Sequence, residues 1–302
     1  MKVKITPSRL SGTITAPPSK SFAHRLLIGA AAANGESEIK NVDLSEDILA
    51  TTDCLNALGA EIKLENGNAK VKGFNGKPKA RDALNARESG STLRFLIPAS
   101  LLDGGGKFIG TERLMARGVS LYENAFQDKG ITFFKSQTSI TVKGTLSGGK
   151  FVIPGDVSSQ YVTGLLLALP LTKNGGEICI LPPVESRDYI NVTLAALNLF
   201  GIKVEKKSEN VYTVLGGQNY RAGNYTVEGD WSNAAFLYAL NVLGHDVFLT
   251  GLTENSAQGD RVCKKMLSEI AAGSAKFDLA DCPDLAPVLF ATAAVKHGGC
   301  FT

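Results

Sequence analysis

One pattern occurs three times along the chain. The segments LGAEIKLENGNAKVKG (58–73), KGITFFKSQTSITVKG (129–144) and FGIKVEKKSENVYTVLGG (200–217) each carry a glycine, a run rich in β-formers, a polar turn and a second such run closing on glycine. The leading glycines Gly59, Gly130 and Gly201 lie 71 residues apart in both intervals. A fixed period of this size marks successive copies of one supersecondary unit. Each glycine ends a stretch with apolar residues at helical spacing, such as EDILATTDCLNALG (46–59), so the helix packs one face on a sheet. A second helix per copy opens at a small polar residue, expected at Ser21, Ser91 and Ser159, with Ser232 following in EGDWSNAAFLYALNVLG. One unit then reads helix, strand, helix, strand, strand, with a further strand leading into the first helix. Strands alternating with crossover helices predict an α/β (mixed α+β) fold, with mixed sheets covered by helices.

The pattern frays toward the C-terminus. The fourth copy lacks room for its hairpin, and a fifth opens at CPDLAPVLFATAAVKHGG (282–299) and reaches Thr302 in its expected first strand. The chain is expected to stop in mid-unit.

Composition narrows the function classes. With 302 residues, 44% of them hydrophobic, the chain can bury a large core. A net charge of +3 from 32 basic and 29 acidic residues, without runs of one sign, argues against a nucleic-acid stripe or a membrane patch. Five widely spaced cysteines without a CxxC pair, and only three histidines, point to reduced thiols in a cytoplasm and away from a metal site. No apolar run approaches the roughly 20 residues of a membrane span. The start, MKVKITPSRLSGTIT, has the alternation of a polar strand rather than of an export signal.

The helix starts carry the chemistry. In APPSKSFAHRLLIGAAAA (16–33), Ser21, His24 and Arg25 share a face at i, i+3 and i+4, with Lys20 just before them. ESGSTLRFLIP (88–98) offers Gly90 for close backbone approach, Ser91 and Thr92 as hydroxyls, and Arg94 one turn on; Arg117 follows in ERLMARGVS. GDVSSQYVTGLLLALP (155–170) offers Ser158, Ser159 and Gln160. A helix N-terminus presents unpaired N–H groups and the positive end of the dipole, which suits phosphate and carboxylate. Three such starts at equal spacing suggest a converging anion site. Equally, the caps could repeat because the fold does, in a non-catalytic interaction protein. Both readings stand on internal evidence alone.

The motifs PPSKSFAHRLL, ESGSTLRFL, DVSSQYVTGLL, ESRDYINVTL, EGDWSNAAFL, NSAQGDR and DCPDLAPVLFATAA occur in an order and spacing that resembles the 5-enolpyruvylshikimate-3-phosphate synthase branch of the enolpyruvyl transferase family. The resemblance runs the length of the chain. It implies a two-lobed fold of three units per lobe: residues 15–227 as a complete first lobe, and 1–14 plus 228–302 as an incomplete second. It implies transfer of the enolpyruvyl group of phosphoenolpyruvate to the 5-hydroxyl of shikimate 3-phosphate with release of phosphate, a step of aromatic amino-acid biosynthesis. Matched by motif, Ser21, Arg25, Ser158, Ser159, Ser186 and Tyr189 would contact shikimate 3-phosphate, and Gln160 both substrates. Lys20, Gly90 and Arg117 would serve phosphoenolpyruvate, and Asp284 would take the proton of the attacking hydroxyl, making Lys20 and Asp284 the catalytic pair. The resemblance implies no cofactor, metal, nucleic acid or membrane, a cytoplasmic location, and a monomer at full length.

The sister branch transfers the same group to UDP-N-acetylglucosamine. It has asparagine where this chain has Ser21 and a reactive cysteine before its site arginine, which TERLMAR lacks. Many relatives read Asn-Ala-Gly-Thr where this chain has Glu88-Ser89-Gly90-Ser91. Six units would need roughly 420 residues, and the remainder is where the family keeps a proton-donating glutamate and further basic groups. The expectation is therefore weak binding of shikimate 3-phosphate without turnover, and exposed apolar faces at Phe236, Leu237, Leu289 and Phe290.

Overall fold

A computed structural model describes residues 2–4, 6–80 and 82–302. It divides into two compact units: one is Lys20–Val227, and the other combines the N-terminal stretch through Ser19 with Glu228–Thr302.

Among its described residues the larger unit holds three four-stranded sheets of one topology. In the second copy Leu84–Arg87 runs parallel to Gly105–Gly110, which is antiparallel to Ser139–Lys143, itself antiparallel to Thr132–Lys135. The third repeats this with Gly149–Pro154, Gly176–Leu181, Val211–Val214 and Val204–Ser208. In the first copy Glu36–Lys40, Asn68–Lys72 and Glu61–Glu65 take the same places. Its parallel strand is Asn224–Thr226, from the far end of the unit's sequence, in the register Asn224↔Glu38 to Thr226↔Lys40. Each polar turn of the sequence pattern is thus a hairpin. The glycine before it lies in the left-handed region, with φ of 104°, 66° and 77° at Gly59, Gly130 and Gly201. Gly59 and Gly201 follow the C-caps Leu58 and Phe200 of helices, as the sequence predicts, whereas Gly130 closes a turn after a helix that has already stopped at Ala125.

Among the described residues this unit has the α-helices α1 Lys20–Ala32, α2 Glu46–Ala57, α3 Gly90–Ser100, α4 Glu112–Ala116, α5 Ser120–Ala125, α6 Gln160–Ala168 and α7 Arg187–Leu199. The equivalent helices α1, α3 and α6 begin 70 residues apart. Phe22–Ala32, Thr92–Ser100 and Tyr161–Ala168 are buried throughout. Helices apolar on every side belong in an interior rather than on a surface. Their approach is close: a Cβ on Gly164 of α6 would lie 2.5 Å from the Arg94 carbonyl of α3.

In the smaller unit Ser11–Thr15 pairs in parallel with Asp246–Thr250, and Lys276–Phe277 with Cys300–Phe301. Only Ser11–Thr15 of the alternating N-terminal run forms a strand; Met1 and Ile5 of that expected strand lie outside the described residues. Residues 15–19 stay with this unit, the Ala16 N–H donating to the Thr250 carbonyl (2.9 Å) and the Ser19 N–H to Glu228 (2.8 Å). Helices α8 Trp231–Val242, α9 Cys263–Ala271 and α10 Ala286–Val295 enclose a core of Trp231, Cys263, Leu267, Ile270, Leu285 and Leu289. Leu289, expected to be exposed, is fully buried in that core, because α10 turns it toward α8 and α9. Phe236 and Phe290 are half-exposed (51% and 49%), and Leu237 is partly covered.

Candidate functional site

The starts of α1, α3 and α6 are built differently from their serine-capped expectation. Ser21 and Ser91 are second residues of α1 and α3. The cap of α3 is Ser89, whose hydroxyl accepts from the Thr92 N–H (3.2 Å). Ser159, before α6, is helical in backbone and makes no side-chain capping bond. The α8 cap is Asp230, accepting from the Asn233 N–H (2.8 Å), and not Ser232. The reason is local: the side chain one or two residues before the helix reaches the first-turn N–H groups, whereas one already inside it points away.

Arg25 is buried, only 2% exposed, and held from four directions. Its Nε donates to Thr193 Oγ1 (2.8 Å) on α7, one terminal nitrogen to the Ser21 carbonyl (2.6 Å), and the other to the Tyr189 carbonyl (3.0 Å) and Thr163 Oγ1 (3.3 Å). Its guanidinium also covers the Phe95 ring at 5.1 Å. Burial pushes its pKa down to about 10, which still leaves a full positive charge at neutral pH. The same bonds tie Ser21 and Tyr189 to Arg25. Ser186 opens α7 in the left-handed region (φ 55°), with its carbonyl accepting from the Tyr189 N–H (3.1 Å).

Lys20 is exposed and paired with Asp47 at 2.7 Å. Burial raises the Asp47 pKa, but the hydrogen bond and charge of Lys20 outweigh it, and the carboxylate sits below its ordinary range. At the start of α3, Gly90 admits Arg117: a Cβ there would lie 3.1 Å from the guanidinium nitrogen. Gln160, at the start of α6, is fixed at both ends of its amide. Its oxygen accepts from Arg94 (2.5 Å), its nitrogen donates to Ser91 Oγ (3.0 Å), and its backbone N–H donates to Ser158 Oγ (3.3 Å). Arg94 in turn stacks on Tyr161 at 5.1 Å.

The structure therefore joins Arg25 with Ser21 and Tyr189, Gly90 with Arg117, and Gln160 with Ser91 and Ser158. Asp284 belongs to the smaller unit, exposed in the 3-10 turn Pro283–Leu285 that enters α10. Sequence reasoning missed Asp47, which holds Lys20, and the threonines Thr163 and Thr193, which hold Arg25. The threonines' only signal was a hydroxyl among the apolar residues of a helix's buried face. It also left Arg94 without a role, although Arg94 orients Gln160.

A lobe of three repeated α/β units whose helix starts carry buried and exposed cations is the arrangement of an enolpyruvyl transferase. The chain belongs to the EPSP synthase family: the family model described as EPSP synthase (3-phosphoshikimate 1-carboxyvinyltransferase) matches residues 5–298. The 3-phosphoshikimate 1-carboxyvinyltransferase of Clostridium perfringens (strain SM101 / Type A) is 38% identical over 318 residues, covering 98% of this chain and 75% of that protein. That of Clostridioides difficile (strain 630) is 34% identical over 325 residues, covering 98% and 74%. The chain thus spans about three quarters of the length of these relatives. Among solved structures, EPSP synthase of Acinetobacter baumannii superposes with a TM-score of 0.81 over 97% of this chain and 74% of that one; at 22% identity this shows the shared fold.

Proposed function

We propose that this chain carries the activity its family is named for, transfer of the enolpyruvyl (carboxyvinyl) group from phosphoenolpyruvate to the 5-hydroxyl of shikimate 3-phosphate with release of phosphate, and that the starts of α1, α3 and α6 form its substrate site. Shikimate 3-phosphate is bound by Ser21, Arg25, Ser158, Ser159, Ser186 and Tyr189; phosphoenolpyruvate by Lys20, Gly90 and Arg117; Gln160 touches both. Asp284 accepts the hydroxyl proton. In this reading Lys20–Val227 is the first lobe, and the flanking segments belong to the second. Membership of the family supports the reaction. The observation that carries the site is Arg25, a full charge kept in an apolar interior by four protein acceptors beside a helix start. Evolutionarily costly burial of charge needs a compensating use, and a dianionic ligand supplies one.

The chemistry of each group fits its role. Lys20 is a compact point charge held by Asp47; Arg117 offers a planar fork to a carboxylate or phosphate, lying over a backbone that no Cβ obstructs. Charge placed where the leaving phosphate gains negative charge lowers the barrier. No helix among the described residues is long and apolar enough to cross a membrane, and we place the protein in the cytoplasm with the family's small-molecule chemistry.

Calorimetry with shikimate 3-phosphate and phosphoenolpyruvate on wild type, Arg25→Ala and Lys20→Ala tests the assignment. Arg25→Ala should weaken the first ligand and Lys20→Ala the second; unchanged affinities in both would overturn it. Phosphate release from the two substrates decides between the family's activity in this chain and the sequence expectation of binding without turnover.

A further inference from the structure

His24 is the buried polar residue of α1 that the substrate site does not use. It is 1% exposed, its Nδ1 lies 2.8 Å from Thr51 Oγ1 on α2, and its ring meets Phe95 edge-on at 6.1 Å. Its Nε2 is buried and has no hydrogen-bond partner among the described residues. From Thr51 a line of hydroxyls continues: Thr51 Oγ1 to Thr92 Oγ1 at 2.7 Å, and Thr92 Oγ1 to Ser89 Oγ at 2.8 Å. Thr51, Thr92 and Ser89 are all buried. Ser89 stabilises the Asp47 carboxylate, which holds Lys20.

A hydroxyl has one proton to donate, and this fixes the direction of the whole line. The geometry makes Thr92 the donor, to Ser89 Oγ or at longer reach to the Asp47 carbonyl (3.4 Å), so its proton is committed away from Thr51. Thr51 must then donate to Thr92. With its own proton spent, Thr51 can only accept from His24, so the imidazole carries its hydrogen on Nδ1. Ser89 accepts from both the Thr92 N–H and the Thr92 hydroxyl, which leaves its own proton for the Asp47 carboxylate that it helps to hold below its ordinary range, while Thr92 itself reaches the Asp47 carbonyl. Every donor in the line points from His24 toward Asp47.

We propose that His24 is a positioning residue: as the Nδ1–H tautomer it anchors a one-way line of three hydroxyls, Thr51, Thr92 and Ser89, that holds Asp47 and through it Lys20. The functional consequence rests on the reading above, in which Lys20 serves phosphoenolpyruvate; the positioning itself does not. Such a line is effective because each bond polarises the next in a low-dielectric interior. A neutral ring is required, since an imidazolium would add charge beside Arg25 and Lys20. Burial, reinforced by those two cations and only partly opposed by Asp47, pushes the His24 pKa down to about 3.

Two measurements test this. Long-range proton–nitrogen correlation spectra of the wild-type chain at neutral pH should show His24 protonated at Nδ1 and bare at Nε2; the opposite tautomer would overturn the proposal. Competitive acetylation with trace acetic anhydride, read by mass spectrometry, reports Lys20 without any substrate. His24→Asn, whose amide nitrogen takes the place of Nδ1, should label within about twofold of wild type. His24→Gln, which places its amide near Nε2, should label about three- to tenfold faster, the loss of roughly one hydrogen bond's worth of restraint. Thr51→Val cuts the line without touching the ring and should label like His24→Gln, which covers the case of a misfolded histidine variant. Equal Lys20 labelling in Thr51→Val and wild type would overturn the positioning role. Because no substrate is present, that result is distinct from a Lys20→Ala chain with unchanged phosphoenolpyruvate affinity, which would sink the substrate reading instead.

Discussion

Arg25 and Lys20 sit five positions apart on one helix start, yet they belong to different regions of the protein. Arg25 lies in the interior of the larger unit, its guanidinium bonded to Thr163, Thr193 and the carbonyls of Ser21 and Tyr189. Lys20 lies at the surface with 53% of its side chain exposed and one partner, Asp47. The interior cation is part of the fold as well as of the site, so altering it should cost both stability and binding. The surface cation can change with little effect on folding, because exposed ion pairs contribute about 0 to 1 kcal/mol. A positive charge near a ligand thus says little until its burial is known.

The largest effect separating the two is expected from Arg25→Ala. It leaves buried acceptors unmatched and opens a cavity beside Phe95, and denaturant unfolding should show a loss of about 3 to 5 kcal/mol. Lys20→Ala should shift the same curve by less than about 1 kcal/mol, while weakening phosphoenolpyruvate binding in calorimetry by about 2 to 4 kcal/mol. If the two variants were equally stable, the distinction between the regions would collapse.

The pH dependence sharpens it further. The folded-state pKa of His24 is about 3, against an ordinary 6.5, so between these values the unfolded chain binds a proton that the folded chain refuses. The resulting stability is present above pH 6.5 and is lost as pH falls toward 3, by up to about 1.4 kcal/mol per pH unit. Asp47 acts in the same sense but at lower pH, its carboxyl being held below the ordinary range. Unfolding curves for wild type and His24→Asn between pH 7 and 4.5 should therefore converge as the pH falls; parallel curves would mean that His24 is not kept neutral by the fold.

The smallest effect is expected where a buried glycine meets an exposed side chain. In Gly90→Ala the new Cβ meets the Arg117 guanidinium at 3.1 Å, the mobile end of an exposed side chain that can give way. Phosphoenolpyruvate affinity should fall by about 1 kcal/mol, with stability nearly unchanged. A large loss of stability in this variant would show that Arg117 is held as rigidly as Arg25.

The same contrast explains what could be read from the sequence. The equal spacing of Gly59, Gly130 and Gly201 gave away the three copies, because a helix terminus and a hairpin are local events with local signatures. The α/β class followed from them. The strand that completes the first sheet did not: Asn224–Thr226 pairs with a partner 186 positions earlier, and nothing within either segment announces it. At the site, the charged and hydroxyl residues of the helix starts were visible as motifs. Their states were not, since the bond from Arg25 to Thr193 spans 168 residues and turns a helix-face cation into an interior one. Leu289 and Phe290 show the limit within a single helix: both are apolar, and only the packing of α10 decides that the first is buried and the second half-exposed.

In the proposed reading the helix starts of the larger unit bind shikimate 3-phosphate, with Arg25 as the buried charge behind them. Backbone amide spectra of the 302-residue chain titrated with that ligand test it most directly. Binding at these helix starts should give saturable shifts concentrated at Ser21, Arg25, Ser158, Ser159, Gln160, Ser186 and Tyr189, with few elsewhere in Lys20–Val227. Saturable shifts that map away from these residues, or none at ligand concentrations well above those of the protein, would contradict it.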